Sequence, residues 1–202
     1  MRVHFFLLAG LVAALCGTAA DMLLVGFIQA PQRYPEFIRL FGEEADLATL
    51  MLPADAQSLL WGVLPATFTA VLYLAASFGV YRLHDVQNAA ARWSLALLLA
   101  GYALSPLAHA GFYYLGVAAH ALRDSPHAAH AVLAAHWRQL HAMLLHWLPA
   151  VLLLAAGWLL FAVQTLRGRT RLPSWLRFLT LCRWHWRWPG YAVCFRKCRL
   201  RL

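Results

Sequence analysis

The sequence predicts an all-α fold: a transmembrane helical bundle with four spanning helices. Three observations predict it. Of 202 residues, 62% are hydrophobic and 12% charged, and the mean hydropathy is +0.60. A soluble domain averages roughly 45–50% apolar and about 25% charged. Four apolar runs each exceed the roughly 20 residues that a helix needs to cross about 30 Å of hydrocarbon. None alternates polar and apolar residues as a membrane strand does, and in lipid only a helix or a closed barrel satisfies its own backbone. A soluble enzyme and a disordered chain are both excluded on these grounds.

The runs cover about 3–28, 59–81, 93–119 and 142–166, within a body of residues 1–173. The first is broken only by His4 and Asp21, the second carries no charge, the third contains His109 and the fourth His146. The first has a rival reading. Arg2, an apolar core and Thr18-Ala19-Ala20 before Asp21 resemble a cleavable signal peptide. The apolar run continues through 22–28, however, which favours an uncleaved span. A lipoprotein site at Cys16 is opposed by the bulk of Leu15. Cys16 itself reads as a small core residue, and the body shows no disulfide framework.

Charge gives the orientation. The net charge is +9, but ten of the 17 basic residues lie from Arg167 to Arg201. The body before them carries seven basic and eight acidic residues, so no nucleic-acid partner is expected. Placing both termini in the cytoplasm puts 13 Lys/Arg inside and four outside, as the positive-inside rule requires. Without the tail the counts are three and four, and the acidic first loop (29–58) is what favours the outside. Trp61, Trp93 and Trp147 sit near span ends, like an aromatic belt. In the first loop, Phe37, Ile38, Leu40 and Phe41 suit a short helix lying on the interface. Asp124-Ser125-Pro126 is a helix start, opening a helix towards Ala142 that joins the fourth span.

Ionisable residues inside a span cost at least roughly 2.5–3.5 kcal/mol at the centre and are functional candidates by default. Asp21 lies seven residues, or about 10 Å, from the outer end of its run. His109 lies ten from its own and His146 four, so all three fall in the outer half. The third span carries a polar stripe at three- and four-residue steps that includes Tyr102, Ser105, His109, Tyr113 and His120. Thr69, Tyr73, Ser77 and Tyr81 recur at four in the second. Gly10, Ala14, Gly17 and Thr18 share a face with Asp21 and allow close helix approach. The expected site is an outward-facing polar cavity of Asp21, His109, Tyr113, Tyr73 and His146. An Asp–His pair there suits a proton or a small cation. The competing reading is helix-to-helix bonding alone.

A second candidate lies in the third loop. His127, His130 and His141 share one helical face, with His136 opposite, and Asp124 lies beside His127. Asp124, His127 and His130 offer an O/N set for zinc or copper, against a solvated polar face that happens to use His. HExxH is absent. Haem is disfavoured, because His109 and His146 differ by six residues in depth, about 9 Å. No cofactor is assigned.

The tail, residues 174–202, is basic and rich in Trp, Arg and Cys. Cys182, His185, Cys194 and Cys198 have zinc-type identities. The codons for residues 181–188 point elsewhere: Trp is TGG, Cys TGY and His CAY, and with CGN arginines the shifted frame encodes an apolar run. From about Leu181 the tail then reads as an out-of-frame version of a further span; the alternative is an Arg/Trp-rich interfacial anchor.

Three segments resemble an uncharacterised family of bacterial multi-pass inner-membrane proteins: Gly17 to Leu24, Gly79-Val80-Tyr81, and His109 to Tyr113. The resemblance covers the body to about Pro173 and implies a helical fold in a bacterial inner membrane, without an activity. Family members continue into further hydrophobic helices where the tail departs. The expected partners are the lipid bilayer and a small-molecule or ion ligand; nothing fixes an oligomeric state. No nucleophile elbow, phosphate loop or paired-carboxylate motif argues for an enzyme. The function classes left open are proton or small-solute transport or sensing, a metal- or haem-binding membrane protein, and a structural subunit.

Overall fold

A computed structural model describes residues 3–26, 31–173 and 175. Apart from Trp175, the tail, with its proposed zinc ligands and frame shift, lies outside the described residues. Among the described residues, seven α-helices follow in order: α1 (Val3–Val25), α2 (Pro35–Phe41), α3 (Ala45–Leu50), α4 (Ala56–Arg82), α5 (Ala89–Asp124), α6 (His130–Met143) and α7 (Trp147–Leu166). Four candidate membrane spans are present, and the fourth runs through α6 into α7. Among the described residues there is no strand, only one isolated bridge, His84 to Thr170.

The four expected spans are α1, α4, α5 and α7. The starts of α4, α5 and α7 differ from the hydropathy limits for a local reason in each case. The Asp55 carboxylate accepts the Ser58 N–H at 2.6 Å and starts α4 three residues early. Asn88 does the same for α5, accepting from Ala91 at 3.0 Å. α5 then runs five residues past Ala119 and carries its last turn into the loop end. α7 starts later than expected, because a 3-10 turn at Leu144–His146 separates it from α6. It ends in a Schellman cap: Gly168, at φ 70°, donates to the Thr165 carbonyl and Arg169 to that of Gln164.

The spans pack in the order α1, α4, α5, α7. Small residues set the spacing. A Cβ at Gly79 of α4 would stand 2.7 Å from Phe6 Cβ of α1, and one at Gly157 of α7 would stand 2.9 Å from Leu98 Cγ of α5. The bare Gly157 backbone also lets Ser94 of α5 donate to its carbonyl at 2.9 Å.

One end of this row is capped by α2, α3 and α6. Its core joins Phe37, Phe41, Met51, Leu59, Leu115, Leu122 and Trp137. The helix expected over 37–41 forms, but its two phenylalanines face this core, and only Ile38 of the four apolar residues singled out is exposed. Trp137 is fully buried with its ring 4.7 Å from that of Phe41, over which Arg138 stacks while donating to the Leu40 carbonyl. At the opposite end, Asp85 N–H donates to the Arg169 carbonyl and Arg171 N–H to that of Leu83. This tie holds the α4–α5 turn against the segment after α7 and buries His84 beside Phe161.

Candidate functional site

Asp21 lies one turn from the capped end of α1, and His109 lies near the middle of α5. α1 packs on α4 rather than along α5, so the two side chains meet across a groove floored by α4. His109 Nε2 stands 2.9 Å from Asp21 Oδ1, and His109 Nδ1 stands 3.2 Å from the Ser105 carbonyl one turn back. Only an N–H can face a carbonyl, so Nδ1 carries a proton. The second proton of the pair then lies between Nε2 and Oδ1. It makes either an imidazolium beside a carboxylate or a neutral imidazole beside a carboxylic acid. The histidine is mostly covered, while the Asp21 side chain is 58% exposed.

Tyr73 of α4 continues the site. Its hydroxyl lies 3.0 Å from where a Cβ on Gly17 would stand, so glycine there makes room for it. Its ring stacks on Tyr102 of α5 with centroids 4.5 Å apart and planes 6° from parallel. Trp158 of α7 donates to the Tyr102 hydroxyl at 3.2 Å. Beyond this stack, away from the capped end, a cavity of about 400 Å³ lies between Leu7, Gly10, Ala76, Leu98 and Trp158. Its walls are almost wholly apolar, and of the five expected cavity residues only Tyr73 lines it. The cavity described beside the Asp21–His109 contact is thus apolar, where a polar one was expected. Tyr113, one turn beyond His109, packs into the capped-end core, and His146 stands exposed in the turn that opens α7.

The third-loop candidates divide. Asp124 is held by its neighbour Arg123 through two bonds, Nε at 2.7 Å and Nη2 at 3.0 Å. His127 and His130 turn instead to Glu36 of α2, which sequence reasoning missed: their Nδ1 atoms stand 3.0 and 2.9 Å from the same oxygen, Oε1. These three are the metal-capable cluster among the described residues, and Asp124 is outside it. Pro35 opens α2 and places Glu36 in its first turn. Burial pushes the Glu36 carboxyl up, but the bond from His130 and the charges of His127 and His130 outweigh it and hold the group below its ordinary value. His141 meets Glu44 at 3.4 Å in the same manner. One signal for these pairs was present: an acidic first loop and a histidine-rich third loop fall on the same side of the bundle.

The chain stands apart. Compared with known proteins, it matches no family model, no curated protein and no solved structure.

Proposed function

We propose that this is a multi-pass inner-membrane protein that transfers or senses protons, or a small cationic solute in their place, through Asp21 and His109, with both termini in the cytoplasm. The 2.9 Å approach of Nε2 to Oδ1 carries the reading. A lone carboxylate in a span is costly, whereas a carboxylate and an imidazole that share a proton form a neutral unit. Losing that proton sets a lone pair against a carboxylate. Gaining another leaves an uncompensated imidazolium. Either change alters the attraction between α1 and α5, so a proton entering from the open side of the groove is felt by both helices. The resemblance of Gly17 to Leu24, Gly79 to Tyr81 and His109 to Tyr113 supports the bacterial inner membrane, and the distribution of Lys and Arg supports the orientation.

The test is proton flux in liposomes containing the full chain and an internal pH-sensitive dye, under an imposed potential. Wild type should dissipate a pH gradient faster than protein-free vesicles or, as a sensor, change helix-packing signals with pH. Asp21→Asn and His109→Gln should each remove the response while circular dichroism and monodispersity persist. Unchanged responses in both variants would reduce the pair to a contact that holds helices together.

A further inference from the structure

We propose that Glu36, His127 and His130 bind a divalent transition-metal ion, zinc in the first instance, at the capped end of the bundle. The site does not involve Asp21 or His109 and stands or falls independently of them.

The first observation is convergence. The three candidate ligand atoms, two imidazole Nδ1 and one carboxylate oxygen, lie within 4.8 Å of one another. They come from two separate parts of the chain, 91 and 94 residues apart. Tetrahedral zinc holds nitrogen and oxygen at about 2.0–2.2 Å, which sets ligand atoms about 3.3 Å apart. The present 2.9 and 3.0 Å open by a few tenths of an ångström to reach that spacing, and the two Nδ1 atoms, within 4.8 Å of each other, settle to it.

The second observation is that both nitrogens of one buried imidazole face oxygen, one suited to a metal and one to the outer shell. His130 is almost fully buried, and both of its nitrogens face acceptors: Nδ1 faces Glu36 Oε1, and Nε2 faces the Ser125 carbonyl at 2.9 Å. One proton between Nδ1 and Oε1, or one cation in its place, matches both acceptors. Nε2–H then donates to Ser125, the outer-shell bond that orients a metal-ligating histidine. Glu36 Oε1 is also overcrowded, since Arg39 Nη2 reaches the same oxygen at 2.8 Å. Arg39 is largely exposed and is the competing cation, and a bound ion displaces it to Oε2 or to solvent.

The third observation is access. The His127 side chain is 83% exposed, so the ion enters from water and keeps a fourth position for a water molecule. Asp124, chelated by Arg123, takes no part.

The experiment is zinc titration by calorimetry of the full chain in nanodiscs, without a polyhistidine tag and with Cys182, Cys194 and Cys198 changed to Ser. Cobalt serves as the spectroscopic probe. One ion per chain is expected, with cobalt bands of nitrogen and oxygen ligation. Glu36→Gln and His127→Ala should each weaken binding by more than the roughly tenfold to hundredfold that loss of an outer-shell partner costs. Being exposed, His127 can be removed without harming the fold. Arg39→Gln should tighten binding, and Asp124→Asn should leave it unchanged. Absence of zinc binding by the otherwise intact chain, equal affinity in Glu36→Gln and His127→Ala, or a His130 ring still protonated on both nitrogens under excess zinc would each overturn the proposal.

Discussion

The capped end and the spanning body bury different kinds of residue. At the capped end the fully buried side chains are large: Trp137, Met51, Leu115 and Leu122. In the body, apart from Leu98 and His84, they are small or hydroxylated, as at Ala13, Ser77 and Ser94, while Phe5, Leu15, Phe68, Val71 and Leu159 point outward. The hydrophobic effect explains the contrast. Burying apolar area is favourable only when the alternative is water. In lipid a leucine gains little by turning inward, so helices associate through close backbone approach and side-chain hydrogen bonds. The two carboxylate–histidine sites divide in the same way. Asp21 and His109 share one bond across a groove, whereas Glu36 gathers His127, His130 and Arg39 where water is at hand.

The largest predicted effect falls on the capped end. Trp137→Ala should cost about 3–5 kcal/mol, the range for truncating a buried aromatic side chain. Unfolding followed by circular dichroism, together with protease cleavage in α6, checks it. Loss should be confined to α2, α3 and α6 while the spans persist; concerted loss of all helices would show that the cap and the body are one cooperative unit. The matching change in the body adds atoms instead of removing them. Gly157→Val places its Cβ 2.9 Å from Leu98 Cγ and 3.2 Å from the Leu98 backbone nitrogen. Overpacking of this kind costs about 1–3 kcal/mol. A disulfide probe across the α5–α7 contact should form more slowly in the variant, and an unchanged rate would mean that the two helices are not held by close approach.

The same contrast decides what was legible in the sequence. The spans were legible because length and apolarity are properties of the chain alone. So were the faces: Tyr73, Tyr102 and His109 lie at helical steps from the polar residues around them, and counting residues put Asp21 and His109 at similar height. Partners across the loops were not. Glu36 lies 91 residues from His127, and no period connects them. Asp124 sits beside His127 in sequence, but Arg123 beside it claims its carboxylate. The depth of His109 and His146 was counted from assumed span ends, and a 3-10 turn before α7 changes that reference.

A smaller effect is expected at the Asp21–His109 pair, and it sharpens the question of whether polar groups in the body act as glue. Hydrogen bonds between helices in a membrane contribute about 0.6 kcal/mol on average and at most about 1.7 kcal/mol in measured cycles. A double-mutant cycle with Asp21→Asn and His109→Gln, read from unfolding in mixed micelles, should fall in that range. Coupling near zero would show that the bond is not formed in the bilayer. Coupling far above the range would make the pair a structural ion pair, and a proton carrier would then be the poorer reading.

The smallest effect separates the two ends by their helix starts. α4 opens at the capped end on Asp55 and α5 opens at the other end on Asn88, each accepting a backbone N–H three residues on. The Ser58 backbone N–H, with a further contribution from the Ser58 side chain, holds the Asp55 carboxyl below its ordinary value. A group lowered in the folded state stabilises the fold above its unfolded pKa, about 3.9, and that contribution is lost as pH falls through the lower, folded value. Asp55→Asn keeps the cap, since Asn and Asp serve equally there, but removes the titration. The variant should therefore match wild type near neutral pH and lose less stability below about pH 4. Protection of the first turn of α4 from hydrogen exchange measures this directly. The first turn of α5, capped by a side chain that does not titrate, supplies the internal reference: its protection should not depend on Asp55 at any pH. If both turns loosen together in acid, the cause is global unfolding and not the cap.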